Sequence, residues 1–385
     1  MRFETRCARG GTDSQDIGRP CVPPIVSSAH FVFDSQQQLE EYYDSGRGFL
    51  YARYESPTPR LAEQRLAELE GAEEAGLFAS GMAAISTTLL SFLGTGDRVA
   101  AQRELYGGTA HLLQDVLPDL GIEVLWLDRD ELETLTAERL AGCRVLYLES
   151  PVNPTLDLVD LGRLARIGRE AGAVVMVDST FATPAFQRPL ELGCDLVLHS
   201  GTKYLGGHGD LTAGAVAGSR DQVERIRRRR RALGGILDPF QAFLLHRGMR
   251  TLAVRMHAHE RGARAVADAL LGHPRIRRVH WPGLASHPRH DLARRQMSGF
   301  GGMVTFEVRG GASAAERALD GLRLIRRAPS LGAVESLASI PARVSHRHLS
   351  AEEQARVGVT PEMIRLSVGL ESPEDLIEDL RRALA

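Results

Sequence analysis

The feature that most constrains this chain is a series of short apolar runs separated by helical segments: Arg98-Val-Ala-Ala, Glu123-Val-Leu-Trp-Leu, Arg144-Val-Leu-Tyr-Leu, Ala173-Val-Val-Met-Val and Asp195-Leu-Val-Leu. Runs that are apolar throughout, rather than alternating, suit strands covered on both faces, and strands that alternate with helices suit a parallel sheet with crossovers. The pattern predicts an α/β chain built on a mostly parallel sheet. Ala75-Gly-Leu-Phe-Ala79 and Ala213-Gly-Ala-Val-Ala217 read as further strands. Leu61, Leu66 and Leu69 recur among charged residues from Pro57 to Glu70, an amphipathic helix closed by Gly71, and Met82 to Leu93 reads as a buried helix.

The flanks differ in pattern. Residues 1–55 carry Pro20, Pro23 and Pro24, with Gly46 and Gly48 beside Tyr42, Tyr43 and Tyr51, and show little helical period, so an extended arm is expected there. Residues 56–250 hold the strand and helix alternation of a large domain. A turn at Leu233-Gly-Gly-Ile-Leu-Asp-Pro leads into one long helix expected from about Phe240 to Leu271. Beyond it, strands at Gly302–Val308 and Met363–Val368 and helices at Ala312–Leu322 and Glu374–Leu384 give a smaller α/β domain over 251–385.

Composition narrows the classes. With 385 residues and 43% hydrophobic content the chain can bury a sizeable core, and a formal net charge of -2 gives no global attraction to nucleic acid or acidic membranes. The run Arg227 to Arg231 is a local basic cluster, but no aromatic residue interleaves with it and a solvated helix is its expected setting. No nucleic-acid partner is expected. Cys7, Cys21, Cys143 and Cys194 are scattered, which fits a reducing cytoplasm, and no apolar run approaches a membrane span or a signal peptide. His199, His208 and Asp210 lie close in sequence without a ligand spacing, so no metal is expected; His280, His287, His290, His346 and His348 read as surface or satisfied polar residues. A Gly-x-Gly-x-x-Gly turn and a phosphate loop are both missing.

In an open α/β sheet, ligands bind beyond the carboxyl ends of the strands. Asp178 ends one apolar run, and Lys203 follows another through Ser200 and Thr202, which places an acid and an amine at one sheet edge. An acid there can be a helix N-cap, a metal ligand, a ribose-binding group or the partner of a cofactor's pyridinium nitrogen. A lysine there can form a Schiff base while neighbouring hydroxyls hold a phosphate. Pyridoxal phosphate chemistry asks for a lysine, an acid, phosphate donors and a cation for the substrate carboxylate, and all four are available.

Asp178-Ser-Thr-Phe-Ala-Thr-Pro followed by Asp195-Leu-Val-Leu-His-Ser-Gly-Thr-Lys203-Tyr-Leu-Gly-Gly-His-Gly-Asp resembles the signature of the pyridoxal phosphate-dependent cysteine and methionine metabolism (trans-sulfuration) family, which includes cystathionine γ-lyase, cystathionine γ-synthase, cystathionine β-lyase and methionine γ-lyase. Tyr51-Ala-Arg53, Ser80-Gly-Met82, Tyr106-Gly-Gly-Thr, Glu149-Ser-Pro-Val-Asn153-Pro, Ser330-Leu-Gly-Ala-Val-Glu-Ser and Arg365-Leu-Ser-Val-Gly-Leu-Glu extend the likeness over nearly the whole chain. The resemblance implies fold type I, like aspartate aminotransferase, with a seven-stranded mixed sheet in the large domain and a homotetramer of tight dimers. It implies Lys203 as the residue that carries pyridoxal phosphate and moves the Cα proton, and Asp178 as the partner of the ring nitrogen. Gly81, Met82, Ser200 and Thr202 fall at the phosphate, Tyr106 against the ring, and Tyr51 and Arg53 at the phosphate of the neighbouring subunit. Arg365, with Asn153 and Ser330, falls at the substrate carboxylate.

The reaction implied is carbon–sulfur γ-elimination on cystathionine, methionine or a related amino acid, giving an α-keto acid, ammonia and a thiol. The alternative within the family is γ-replacement on an O-acyl homoserine. An alternative of another class is a non-catalytic, nucleic-acid-binding regulator on the same fold. Three positions depart from the family pattern: Gly108 stands where methionine γ-lyases have cysteine, Pro329 where many relatives have glutamate, and Glu55 in place of the glycine of a usual Gly-Asn-Pro-Thr stretch.

Overall fold

A computed structural model describes residues 1–8 and 21–385. Pro20 and the middle of the expected arm lie outside the described residues. Seven strands form one sheet: β1 (Glu74–Phe78), β2 (Arg98–Gln102), β3 (Glu123–Leu127), β4 (Cys143–Glu149), β5 (Val174–Asp178), β6 (Leu196–Ser200) and β7 (Gly214–Gly218). Their spatial order is β1-β7-β6-β5-β4-β2-β3, with β7 antiparallel to both neighbours and every other pair parallel. The sheet is therefore mixed. Val145, Tyr147, Val175, Val177, Val197 and Leu198 are almost wholly buried, as strands covered on both faces require.

A second sheet of five strands, β8 (Ile276–His280), β9 (Met303–Val308), β10 (Arg326–Arg327), β11 (Leu337–Ser339) and β12 (Met363–Ser367), runs in the order β10-β11-β12-β9-β8. Only β10 and β11 are parallel in it. This is the α/β expectation for the C-terminal part, and with the seven-stranded sheet it is the fold type I architecture.

Three local expectations need correction. The long helix is two, Pro239–Met249 and Leu252–Leu270. The break is held by Arg255, whose guanidinium donates to the Gly248 carbonyl at 2.7 Å and the Tyr204 carbonyl at 2.8 Å while its Nε donates to Thr251 Oγ1 at 3.0 Å. A side chain at Gly248 would set a Cβ 2.3 Å from the Gly206 carbonyl oxygen, so backbone meets backbone there and only glycine fits. The second of these helices joins two cores: Leu252, Ala253 and Met256 pack with the first, and Ala263, Val266, Ala267 and Leu270 with that of the five-stranded sheet.

The N-terminal segment is also less extended than its composition implies. Phe3–Ala8 and Gln36–Ser45 are helical, the second capped by Ser35 and closed by left-handed Gly46. Cys7 is buried against the first core.

The arginine run is the third correction. It lies on the helix Arg220–Leu233, but only part of it is solvated: Arg227 and Arg230 are buried while Arg228 and Arg229 are exposed. Arg227 donates to Glu63 at 3.0 Å, Glu74 at 2.9 Å and the Ala75 carbonyl at 2.7 Å; Arg230 donates to Glu63 at 2.8 Å and the Leu77 carbonyl at 2.6 Å. Buried charges persist only when paired, and the two cations hold the Glu63 carboxyl below its usual range despite the burial that opposes them. Two of the five arginines in the cluster therefore fasten the helix 220–233 to the edge strand β1.

Candidate active site

Parallel neighbours β5 and β6 end side by side, and their ends carry the candidate site. Asp178 is the last residue of β5, in register with Leu198 of β6, and Lys203 lies in the turn after β6, where its N–H donates to the Ser200 carbonyl at 3.1 Å. Thr180 ties the two ends together. Its hydroxyl donates to Asp178 Oδ1 at 2.6 Å and accepts the Ser200 N–H at 2.9 Å, while its own N–H donates to the same Oδ1 at 3.0 Å. Both bonds fall on one carboxylate oxygen, which leaves Oδ2 open to a further donor. Burial pushes the Asp178 carboxyl up and the Thr180 bonds pull it back, so a cation beside Oδ2 would satisfy it.

On the opposite side of the turn, the helix Gly81–Phe92 begins at Ser80, whose hydroxyl accepts the Ala83 N–H at 3.1 Å. The Gly81 and Met82 N–H groups find no acceptor among the described residues, which makes this helix start a donor site for an anion. A Cβ on Gly81 would lie 3.1 Å from Ser200 Cβ and 3.2 Å from Ser200 Oγ, so glycine keeps that cradle open between the helix start and the β6 end. Thr202 is turned elsewhere: its hydroxyl both accepts the Ala213 N–H at 3.0 Å and faces the Ala213 carbonyl at 3.3 Å.

The second sheet supplies the other wall. Arg365 sits in the middle of β12, is buried, and donates through Nη1 to Asn153 Oδ1 at 2.9 Å and through Nη2 to the Ser330 carbonyl at 3.0 Å. Its Nε has no partner among the described residues. A buried guanidinium bonded only to neutral acceptors, with a donor to spare, can take an anion, and burial pulls its pKa down to about 10. Ser330 also meets the lysine: Lys203 Nζ donates to Ser330 Oγ at 2.8 Å. Burial first, then the charge of Arg365, pull the Lys203 amine down to about 8, so a neutral, nucleophilic form is accessible near neutrality.

Glu149, the first residue of the Glu149-Ser-Pro-Val-Asn153 motif, joins the candidate site. It ends β4 in register with Asp178, accepts the Tyr106 N–H at 2.7 Å and the Asn153 N–H at 3.0 Å, and is pushed up by burial and by the neighbouring Asp178 charge. The strand-end argument that finds Asp178 finds Glu149 equally. Tyr106 itself is 45% exposed, its ring free to face a ligand. Tyr51 and Arg53 are not part of this cluster within one chain. Arg53 donates to the Arg231 carbonyl at 2.6 Å and packs over the rings of Tyr54 and Tyr51.

A further signal lies in the composition. Lys203 is the only lysine in the chain, the other members of the 47 basic side chains all being arginine. Arginine stays protonated and cannot serve as an amine nucleophile, so the one retained lysine marks a position where guanidinium chemistry fails. Among the described residues no group of three or more His, Cys, Asp or Glu side chains could hold a metal ion. His199 instead meets Glu70 at 2.5 Å and His280 meets Glu307 at 2.9 Å, both buried. No helix of the described residues is long and apolar enough to cross a membrane.

An open carboxylate oxygen, an amine with a lowered pKa, an anion cradle at a helix start and a buried arginine fit pyridoxal phosphate and an amino-acid carboxylate. On this fold they define a pyridoxal phosphate-dependent enzyme of fold type I. The chain belongs to the Cys/Met metabolism PLP-dependent enzyme family, whose model matches residues 4–385. It is 44% identical to an L-methionine γ-lyase of Pseudomonas putida over 385 residues, covering 99% of this chain and 97% of that one. A cystathionine γ-lyase of Bacillus subtilis is 42% identical, with 100% and 99% covered. A crystal structure of cystathionine γ-synthase from Xanthomonas oryzae pv. oryzae superposes with a TM-score of 0.94 at 38% identity, covering 100% of this chain and 98% of that one.

Proposed function

We propose that this protein is a carbon–sulfur γ-lyase of sulfur amino acids, releasing an α-keto acid, ammonia and a thiol from cystathionine, methionine or a related substrate. The observation that carries the reading is the meeting of Lys203, Ser330, Arg365 and Asn153 between the two sheets. When bound, pyridoxal phosphate supplies the electron sink that makes an amino acid's α-proton acidic.

The chain's own groups do the rest. Asp178, with Oδ1 fixed by Thr180, would hold the ring nitrogen through Oδ2 and keep it protonated. The Gly81 and Met82 amides and the Ser200 hydroxyl hold the phosphate; Thr202 joins them by giving up its long contact to the Ala213 carbonyl. Arg365 grips the substrate carboxylate, with Asn153 and the Ser330 carbonyl fixing the plane of the guanidinium. Lys203 Nζ, directed by Ser330 Oγ, would take the Cα proton and then a Cβ proton, whose bonding electrons expel sulfur from Cγ as the thiol. Tyr106, which is 45% exposed, would pack against the cofactor ring.

Tyr51 and Arg53 complete the phosphate site of a neighbouring subunit in a cytoplasmic homotetramer. The functional division is an arm over 1–55, a cofactor domain over 56–250 and a small domain over 251–385.

Substrate choice rests on Gly108, Pro329 and Glu55. A Cβ at Gly108 would lie 2.7 Å from Tyr106 Cε1 and 3.0 Å from Met82 Sδ, so the tyrosine and methionine fill the place a larger side chain would take. Pro329 offers no charge to a distal substrate amine, and Glu55 lies 3.9 Å from Arg60, which is itself bonded to Glu74 at 2.8 Å. Both features fit a substrate whose far end is uncharged as well as cystathionine. The second reading, γ-replacement on an O-acyl homoserine, is favoured by the fold-level match to a γ-synthase. A product assay on methionine, cystathionine and O-acyl homoserines, with and without a thiol, separates the two. Keto acid with ammonia means elimination; a new thioether without ammonia means replacement and overturns the lyase reading.

A further inference from the structure

A cleft of about 420 Å³ lies apart from the Lys203 site, lined by Arg129, Thr155, Asp157, Arg278, His287 and Thr360 among others. Its carboxylates are already matched. Asp157 takes Arg129 at 2.8 Å and has Arg289 at 3.6 Å, and Arg129 also faces Glu104 at 3.6 Å. Glu307, which also lines the cleft, takes His280 at 2.9 Å and Arg277 at 2.6 Å, and Arg277 reaches Glu362 at 3.0 Å. Arg278 stands alone among these cations, with no ion pair among the described residues. It sits on the exposed side of β8, its charge turned to a cleft whose acids are all neutralised.

Two hydroxyls in the same cleft are orphaned. Thr155 is 6% exposed, and neither its Oγ1 nor the buried Thr360 Oγ1 has a partner among the described residues. Buried hydroxyls are ordinarily satisfied, so two of them lining one cavity point to a missing acceptor. His287 adds a third donor. Its Nδ1 accepts the Arg289 N–H at 3.2 Å, which leaves the ring proton of the neutral imidazole on Nε2.

We propose that this cleft binds a small phosphate-type dianion, either inorganic phosphate or the phosphate of a monoester, through Arg278 and the hydroxyls of Thr155 and Thr360. One unmatched guanidinium and several neutral donors around a cavity of this size suit such an anion. A cation would meet no free carboxylate there.

The test is isothermal titration of the holoenzyme, whose cofactor already fills the catalytic phosphate cradle, at constant ionic strength set with chloride. One arm uses inorganic phosphate and the other glycerol 3-phosphate. The expected result is saturable binding of one anion per chain, weakened about tenfold in both R278Q and T155V, the change that loss of one hydrogen bond to a charged group brings. Equal binding of the two probes assigns free phosphate, and preference for the ester assigns an organic phosphate. Arg278 is exposed and unpaired, so R278Q removes the charge without opening the core. Absence of saturable binding, or binding as tight in R278Q as in the wild type, overturns the proposal.

Discussion

Lys203 Nζ donates to Ser330 Oγ at 2.8 Å, and the same serine gives its carbonyl to Arg365 at 3.0 Å, so one residue aligns the amine and the guanidinium. Ser330 holds a left-handed backbone with φ of 85°, a conformation that costs a non-glycine residue about 1–3 kcal/mol and persists where the surroundings impose it. Ser330→Ala keeps the backbone and removes only the hydroxyl. Turnover is expected to fall roughly tenfold or more, the usual worth of a hydrogen bond to a charged group, with cofactor content unchanged. An unaltered kcat would show that the amine needs no such guide.

The lowered pKa of Lys203 makes a pH prediction for the cofactor-free protein. The amine attacks only when neutral, and its neutral fraction grows as pH rises through its pKa. With burial and Arg365 pulling that pKa to about 8, the rate of pyridoxal phosphate uptake should rise to half its maximum near pH 8 and then level off. A rate still climbing toward pH 10 would mean an ordinary, solvated lysine.

Arg365 is buried with one donor unused, and its removal takes away the only buried cation bonded to both Asn153 and Ser330 among the described residues. In Arg365→Ala, kcat/KM for amino-acid substrates should drop on the order of 10²–10³-fold, the cost of truncating one member of a buried, hydrogen-bonded charge pair. Visible absorbance of the bound cofactor should persist. Unchanged kinetics would place the substrate carboxylate elsewhere.

Away from the site, Glu63 is the shared acceptor of two buried arginines. Glu63→Gln leaves Arg227 and Arg230 short of a counter-charge and should cost about 3–5 kcal/mol of stability, read as a lower thermal midpoint at fixed protein concentration. A midpoint equal to the wild type would show that Glu74 and the carbonyls suffice.

Much of this was legible in the residues because strand periodicity and strand-end chemistry are local. The seven runs predicted for the large sheet all form strands within about two residues of their expected bounds, and Asp178 and Lys203 meet at one edge as parallel pairing dictates. What was not legible depends on tertiary contacts. The split near Arg250 requires knowing that Arg255 reaches the Gly248 carbonyl, and the burial of Arg227 and Arg230 requires knowing that Glu63 lies opposite them. The turn of Thr202 toward Ala213 is likewise a matter of side-chain geometry that composition does not carry. The solitary lysine, by contrast, was in plain view.

That solitude gives the most direct test. Lys203 and the N-terminal amine are the only primary amines of the chain, so a cofactor held through a carbon–nitrogen double bond has one internal place to attach. Borohydride reduction of the holoenzyme followed by peptide mass mapping should find one pyridoxyl group per chain, on the peptide containing Lys203, with lyase activity lost in proportion. A reduced chain without the adduct, or one carrying it only at the N-terminus, would contradict the account.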